Sequence, residues 1–287
     1  MKTYLNVGCG PRFHPGWINI DLVRHAPEVI RHDLSTGIPL GDACCDVVYH
    51  SAVLEHIRRR DVPAFMRECY RVLKPGGMIR IAVPDLERIC RVYLQKLEQA
   101  VAGSVEAGHD YEWILLELLD QIVREQSGGE MGTYLGRADL PNASFVVERI
   151  GAESGLVTSP PSGKVAPRGG VATYALARRI KRWLLALRRL AWTALLGSRR
   201  FQAMEVGRFR FSGQVHQWMY DRYSLGRLLE ASGFVEAEVC TATSSRVPMW
   251  SSFNLDTEPD GRSVKPDLFY MEARKPSWER VDSGSKR

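Results

Sequence analysis

Apolar runs bounded by turn-forming residues recur along the first third of the chain, at Tyr4 to Val7, Trp17 to Ile20, Glu28 to His32, Val47 to His50 and Met78 to Val83. Short runs of this kind predict strands. Ahead of the last one, Val62 to Leu73 places Phe65, Cys69, Val72 and Leu73 on one face at helical spacing. Pro75 then fixes φ and ends that helix, and Gly76 and Gly77 supply the turn into the fifth strand. Strands alternating with helices predict an α/β fold with a mostly parallel sheet. Beyond Arg88 the pattern changes. Ile89 to Val101 and Glu112 to Glu125 predict helices, and Gly, Pro and Ser cluster from Gly151 to Gly170 as a loop. Tyr174 to Leu196 predicts an amphipathic helix with Ile180, Trp183, Leu184, Leu187 and Leu190 on one arc and Arg178, Lys181, Arg182, Arg188 and Arg189 on the other. The α/β pattern then returns with a helix from Leu225 to Ala231, a stop at Gly233, a strand near Val235 to Cys240 and a final strand from Leu268 to Ala273. The expected organisation is an N-terminal α/β part (1–93), a helical insertion or lid carrying the basic helix (94–213), a C-terminal part of the same α/β domain (214–276) and a polar tail (277–287).

A chain of 287 residues holds one full α/β core with a sizeable insertion, not two independent enzymes. Hydrophobic residues make up 45% and charged residues 25%, the balance of a globular protein, and no apolar run reaches the roughly 18 residues a membrane span needs. The first strand follows the initiating Met so closely that no signal peptide fits ahead of it, which predicts a cytoplasmic protein. Six cysteines (9, 44, 45, 69, 90 and 240) show neither CxxC spacing nor pairing with HxxxH, so structural thiols are expected and no metal or disulfide framework. Charge is uneven. Residues 164 to 210 carry twelve Lys or Arg against Glu205 alone, a local +11 that leaves −5 for the remainder of a net +6. Any surface that seeks an anionic partner is expected in that segment.

Leu5-Asn6-Val7-Gly8-Cys9-Gly10-Pro11 puts two glycines at the carboxyl end of the first strand. Open α/β sheets bind ligands at that edge, and missing side chains let backbone N–H groups approach a polar or anionic ligand. The third glycine of a dinucleotide GxGxxG is absent, since position 13 is Phe. A tight turn with no ligand has the same sequence. Asp21 and Asp33 close the second and third strands. The first can accept both hydroxyl hydrogens of a ribose and the second can accept from an adenine amino group, although either also serves as a turn or cap residue.

Leu5 to Gly10, His14-Pro15-Gly16-Trp17-Ile18-Asn19-Ile20-Asp21, Asp46-Val47-Val48-Tyr49, Leu54-Glu55-His56, Glu68 to Gly77 and Ile81-Ala82-Val83-Pro84-Asp85 together resemble the class I S-adenosyl-L-methionine (SAM)-dependent methyltransferases. The likeness is to a bacterial branch associated with cell-surface polysaccharide or glycolipid biosynthesis. It covers residues 1 to about 93 and returns from His216 to Pro276, leaving out the middle. The resemblance implies a Rossmann-like seven-stranded sheet with an antiparallel last strand, and SAM as cofactor. It places Gly8, Cys9 and Gly10 beside the methionine moiety, Asp21 on the ribose, and Asp33 with Leu34 beside adenine. Asn6, Leu22, His50 and Ser51 complete the expected cofactor contacts. Ala52 stands where similar sequences often carry His, so a catalytic role there would be lost or moved.

SAM carries its methyl already activated on a sulfonium, so such a protein mainly aligns an acceptor for in-line displacement and excludes water. An oxygen acceptor still benefits from a general base, for which His, at about 6.5 unperturbed, is suited. The catalytic candidates are His216, His56 and Asp85. His216 returns to the fold right after the insertion, among aromatic residues that suit a sugar face. Asp85 also reads as the N-cap of a helix starting at Leu86, and Asp221 as a cap before Ser224. The expected activity is methyl transfer to an oxygen of a glycan, glycolipid or related small-molecule acceptor. Residues 174–203 would lie on an anionic membrane surface and deliver a lipid-linked acceptor, placing the protein peripherally at the inner membrane face. Alternatively the apolar arc packs on the protein or on a second subunit, which makes an oligomer. Nucleic acid is not expected, because the segment lacks interleaved stacking aromatics. The rival functions are a non-catalytic SAM-binding adaptor in surface-polymer assembly and an NAD-dependent oxidoreductase or epimerase.

Overall fold

The computed structural model describes residues 2–151 and 192–277, with positions 183 and 190. Most of the basic helix and the 152–170 loop therefore lie outside the described residues. Strands β1 (Tyr4–Val7), β2 (Ile18–Asp21), β3 (Val29–Arg31), β4 (Cys45–Ser51), β5 (Leu73–Pro84), β6 (Val235–Cys240) and β7 (Leu268–Arg274) form one sheet in the order β3-β2-β1-β4-β5-β7-β6. β1 to β5 are parallel, and β7 runs antiparallel to both β5 and β6. Seven strands with an antiparallel last one are what the resemblance implied.

The strands alternate in facing. Leu5, Val7, Val48, Ile79, Ile81, Val83, Phe269 and Met271 point into one apolar cluster with Phe65, Met66 and Cys69 of α1 (Val62–Val72) and Leu225 and Leu229 of a later helix, Arg222–Ala231. Each such side chain, fully buried, stabilises the fold by roughly 1.5–3 kcal/mol. Pro63 sits in the first turn of α1, where a missing N–H is of no consequence. β5 is longer than the run 78–83 predicts. Leu73 already pairs with Cys45, and Gly76, at φ +75°, turns within the strand while its N–H donates to Lys275 O at 2.9 Å.

The opposite face is built differently. Residues 8–17 and 22–28, which link β1 to β2 and β2 to β3, contain no helix. Tyr4, Val47, Tyr49 and Met78 on that face are covered instead by Trp17 and by Val247, Trp250, Phe253 and Leu255 from the long β6–β7 connection. Trp17 meets Tyr4, Tyr49, Trp250 and Phe253 at ring-centroid distances of 4.9 to 6.2 Å. An aromatic plug thus seals a face that helices cover elsewhere in α/β folds.

Between β5 and β6 come α2 (Leu86–Val101), α3 (Val105–Val123), α4 (Gly129–Leu135), α5 (Ala143–Ile150), α6 (Ser198–Arg210) and α7 (Arg222–Ala231). α3 begins earlier than the periodicity predicts because Ser104 caps it, accepting from Ala107 N–H at 3.2 Å. α3, α4 and α5 share their own apolar cluster of Trp113, Met131, Tyr134, Val146 and Ile150. A buried ion pair, Arg149 to Glu117, ties α5 to α3. No helix among the described residues is long and apolar enough to cross a membrane. All six cysteines are free thiols.

Candidate active site

The chain turns sharply after β1. Gly8 and Gly10 take φ values of +66° and +55°, and the N–H groups of Gly8 and Cys9 both donate to Ile20 O, at 2.8 and 3.1 Å. A Cβ on Gly8 would come within 2.4 Å of Val53 Cγ2 in the turn after β4, so this position requires glycine on both conformational and steric grounds. At Gly10 a Cβ would meet nothing within 4 Å. The turn is therefore open on that side. Cys9 is buried, and burial with the nearby Asp21 charge pushes its thiol up to about 11, leaving it protonated at neutral pH.

Asp21, at the end of β2, organises this turn. Its two carboxylate oxygens accept from Gly10 N–H and Val23 N–H, each at 2.8 Å, so one side chain joins the glycine turn to the β2–β3 loop. A carboxylate has about four lone-pair sites, which leaves capacity for ribose hydroxyls beyond these two bonds. Leu22 and Val23 beside it are exposed. Asp33 caps the short 3-10 turn Leu34–Thr36 by accepting from Ser35 N–H at 2.9 Å, and those hydrogen bonds lower its carboxyl pKa. Leu34 packs against the main core.

A recess of about 250 Å³ opens above the glycine turn. Asn6, Gly8, Cys9, Gly10 and Ser51, all expected cofactor contacts, line it together with Ala52. Asp21, Leu22, Asp33 and Leu34 lie outside this lining, along the rim towards β3. His50 does not line it either. Its ring points to the helical face against Phe65, fully buried, with no hydrogen-bond partner for either nitrogen among the described residues, and burial lowers its pKa to about 3. The far wall comes from residues the sequence reading missed, including Asp256, Lys265, Leu268 and Tyr270. Arg12 ties the glycine turn to this wall, donating to Asn254 O at 3.0 Å and to Glu258 at 2.7 Å.

The wall is anchored through Arg80, which stands fully buried in the middle of β5. Its guanidinium donates to Asp256 at 2.9 Å, Glu272 at 2.7 Å and the carbonyls of Thr241 and Ser244, and lies over the Trp250 ring at 4.4 Å. Tyr49 donates to the other oxygen of Asp256, and Arg246 N–H to Glu272 at 2.8 Å. Burial pushes the Asp256 carboxyl up against the opposing pull of Arg80.

The catalytic candidates separate into two groups. His56 and His216 come together with ring centroids 4.8 Å apart. Burial lowers both pKa values, that of His216 to about 3, with Arg124 and Lys265 adding to the effect. Such a weakly basic imidazole has little driving force to take a hydroxyl proton at neutral pH. Asp85 is the N-cap of α2, accepting from Arg88 N–H at 2.9 Å, and Asp221 forms a capping box with Ser224. Both follow the structural readings of those positions.

The strand order 3-2-1-4-5-7-6 with an antiparallel seventh strand is a Rossmann-like arrangement, and the glycine turn lies at the strand ends where open α/β sheets take ligands. Residues 18–81, from β2 through most of β5, match the methyltransferase-domain family. Over 56 residues the chain is 43% identical to a probable S-adenosylmethionine-dependent methyltransferase of Mycolicibacterium smegmatis, covering 20% of this chain and 21% of that protein. Over 104 residues it is 31% identical to the mitochondrial ubiquinone biosynthesis O-methyltransferase of Rattus norvegicus, covering 36% of this chain and 29% of that one. A SAM-dependent methyltransferase of known structure from Archaeoglobus fulgidus aligns over 96% of this chain and 86% of its own, at 11% identity and a TM-score of 0.37. The chain thus spans about a fifth to under a third of the curated relatives it matches.

Proposed function

We propose that this protein is a SAM-dependent methyltransferase that holds SAM along Gly8, Gly10 and Asp21 and methylates an oxygen of a glycan, glycolipid or related small-molecule acceptor. The observation that carries this reading is the open glycine turn at the carboxyl end of β1, hydrogen-bonded through Gly10 to a carboxylate at the end of β2. These residues fit the cofactor: bare backbone faces the recess, and Asp21 keeps lone pairs for a ribose. SAM supplies a methyl group on a sulfonium, with sulfur as leaving atom. The chain's own task is to orient the acceptor and exclude water, and the wall from Leu255 to Tyr270 serves the second purpose.

An anionic, lipid-linked acceptor draws support from a second, open recess of about 520 Å³ lined by Arg58, Arg59, Arg60, Arg210 and Gln217. Guanidinium groups grip phosphate oxygens in pairs, which suits a phosphate-bearing carrier. The described positions of the basic segment add to this, since Trp183, Leu190 and Leu195 expose their side chains as a membrane-facing arc would. The segment 94–213 then acts as lid and membrane foot.

The test is calorimetric binding of SAM and S-adenosylhomocysteine (SAH), followed by tritium transfer from methyl-labelled SAM into a glycolipid extract. Wild-type protein is expected to bind both and to label the extract. Asp21→Ala is expected to weaken SAH binding by about 1–3 kcal/mol through lost hydrogen bonds. Gly8→Val, which forces a β-branched residue to positive φ and into Val53, is expected to abolish it. Wild-type SAH affinity in both variants, or no binding by the native chain, removes the proposal.

A further inference from the structure

Glu55, His56 and His216 lie where one carboxylate oxygen and two imidazole nitrogens are all within 4.8 Å of one another. The first two are consecutive on the 3-10 turn Leu54–His56 that follows β4, and the third comes from the segment that re-enters the α/β domain after the insertion. The backbone locks the two segments together. Gln217 N–H and Trp218 N–H both donate to Glu55 O, at 2.6 and 3.3 Å, and His216 N–H donates to Gln121 O at 2.9 Å. His56 Nδ1 meets Val215 O at 3.3 Å, so that nitrogen carries the proton and Nε2 presents its lone pair. Metal-binding histidines are oriented in the same way, by a carbonyl or carboxylate behind the ring.

From this geometry we infer that Glu55, His56 and His216 bind one divalent first-row transition ion, with Zn²⁺, Mn²⁺ or Co²⁺ fitting the donor set. Two imidazoles and one carboxylate favour such ions over Mg²⁺ or Ca²⁺, which prefer all-oxygen shells. Ligand bonds of about 2.0–2.2 Å in tetrahedral geometry require the three atoms, now within 4.8 Å, to draw closer to one another by up to about 1.5 Å, within reach of side-chain rotation.

None of the three ligands lines either recess, but their neighbours do. Lys265, whose charge acts on both histidines, lines the recess above the glycine turn, and Gln217, next to His216, lines the arginine recess. An ion held there by three protein ligands would have coordination positions left over, and an acceptor hydroxyl that reached one of them would lose its proton to solvent more readily beside a Lewis acid. That role rests on the methyltransferase reading. Ion binding itself does not.

The experiment titrates Co²⁺ into untagged, metal-free full-length protein, read by visible absorption and by calorimetry with Zn²⁺ in competition, alongside SAH binding in the same samples. One ion per chain is expected, with a rise in melting temperature that a chelator reverses. Affinity is expected to fall by more than about 10–100-fold in His216→Gln and in His56→Gln, since that range is typical of losing a residue that only orients a ligand, with SAH binding unchanged. Absence of Co²⁺ and Zn²⁺ binding in the wild type, or wild-type affinity in both variants, overturns the site. Should a variant fail to fold, the chelator-reversible melting shift and the stoichiometry of the native chain decide alone. Ion binding without SAH binding would count against the methyltransferase proposal and not against this one, and the converse result would do the reverse.

Discussion

Replacing Arg80 with methionine is expected to cost about 3–5 kcal/mol of folding stability, read as a lower urea midpoint, because it strands two carboxylates in the protein interior. Asp256 and Glu272 are both buried and both take their main cation from Arg80 at 2.7 to 2.9 Å. Arg246, nearest Glu272 at 3.6 Å and partly exposed, can compensate only one of them. The loss should be partly recovered by adding Asp256→Asn and Glu272→Gln, since neutral amides remove the uncompensated charges. A single variant as stable as wild type would show that the Arg80 cluster does not anchor the β6–β7 connection. The same substitution should weaken SAH binding, because Asp256 belongs both to the cluster and to the wall of the recess.

Acid should destabilise the protein through His50. Its ring is fully buried without a hydrogen-bond partner among the described residues, and burial holds its folded pKa at about 3 against 6.5 for the free side chain. The sign follows from proton uptake. Between these two values the unfolded chain binds a proton that the folded protein refuses, so stability is complete above pH 6.5 and falls as pH drops towards 3. The slope is about 1.4 kcal/mol per pH unit, or about 2 kcal/mol from pH 7 to pH 5. His50→Leu, which fills the space against Phe65 without a titratable ring, should remove this component of the slope. Parallel urea midpoints for wild type and variant from pH 7 to pH 4 would show that His50 is not held neutral.

Much of the architecture could be read from local patterns. The first five strands appeared as apolar runs, and the glycine turn and the two following carboxylates were visible as residue types at strand ends. Asp85 carried two readings in the sequence, and its carboxylate accepts from Arg88 N–H as a helix cap does, while Asp221 accepts from Ser224 N–H as its cap reading expected. His50 illustrates the limit of such reading. A histidine at the end of a strand can face either side of the sheet, and here it faces the helical layer instead of the recess.

The chain's periodicity and turn residues were sufficient to determine a mostly parallel α/β sheet with a glycine turn at the end of its first strand, because those signals arise from neighbours within a few residues of one another. Only the tertiary structure decided what covers the second face and what surrounds the recess. Arg80 finds Asp256 and Glu272 at sequence separations of 176 and 192, and His56 reaches the carbonyl beside His216 at a separation of 159. No local pattern encodes partners that distant. Their meeting depends on where the β6–β7 connection and the end of the insertion come to rest on the sheet, which packing and charge burial settle only once the whole chain is folded.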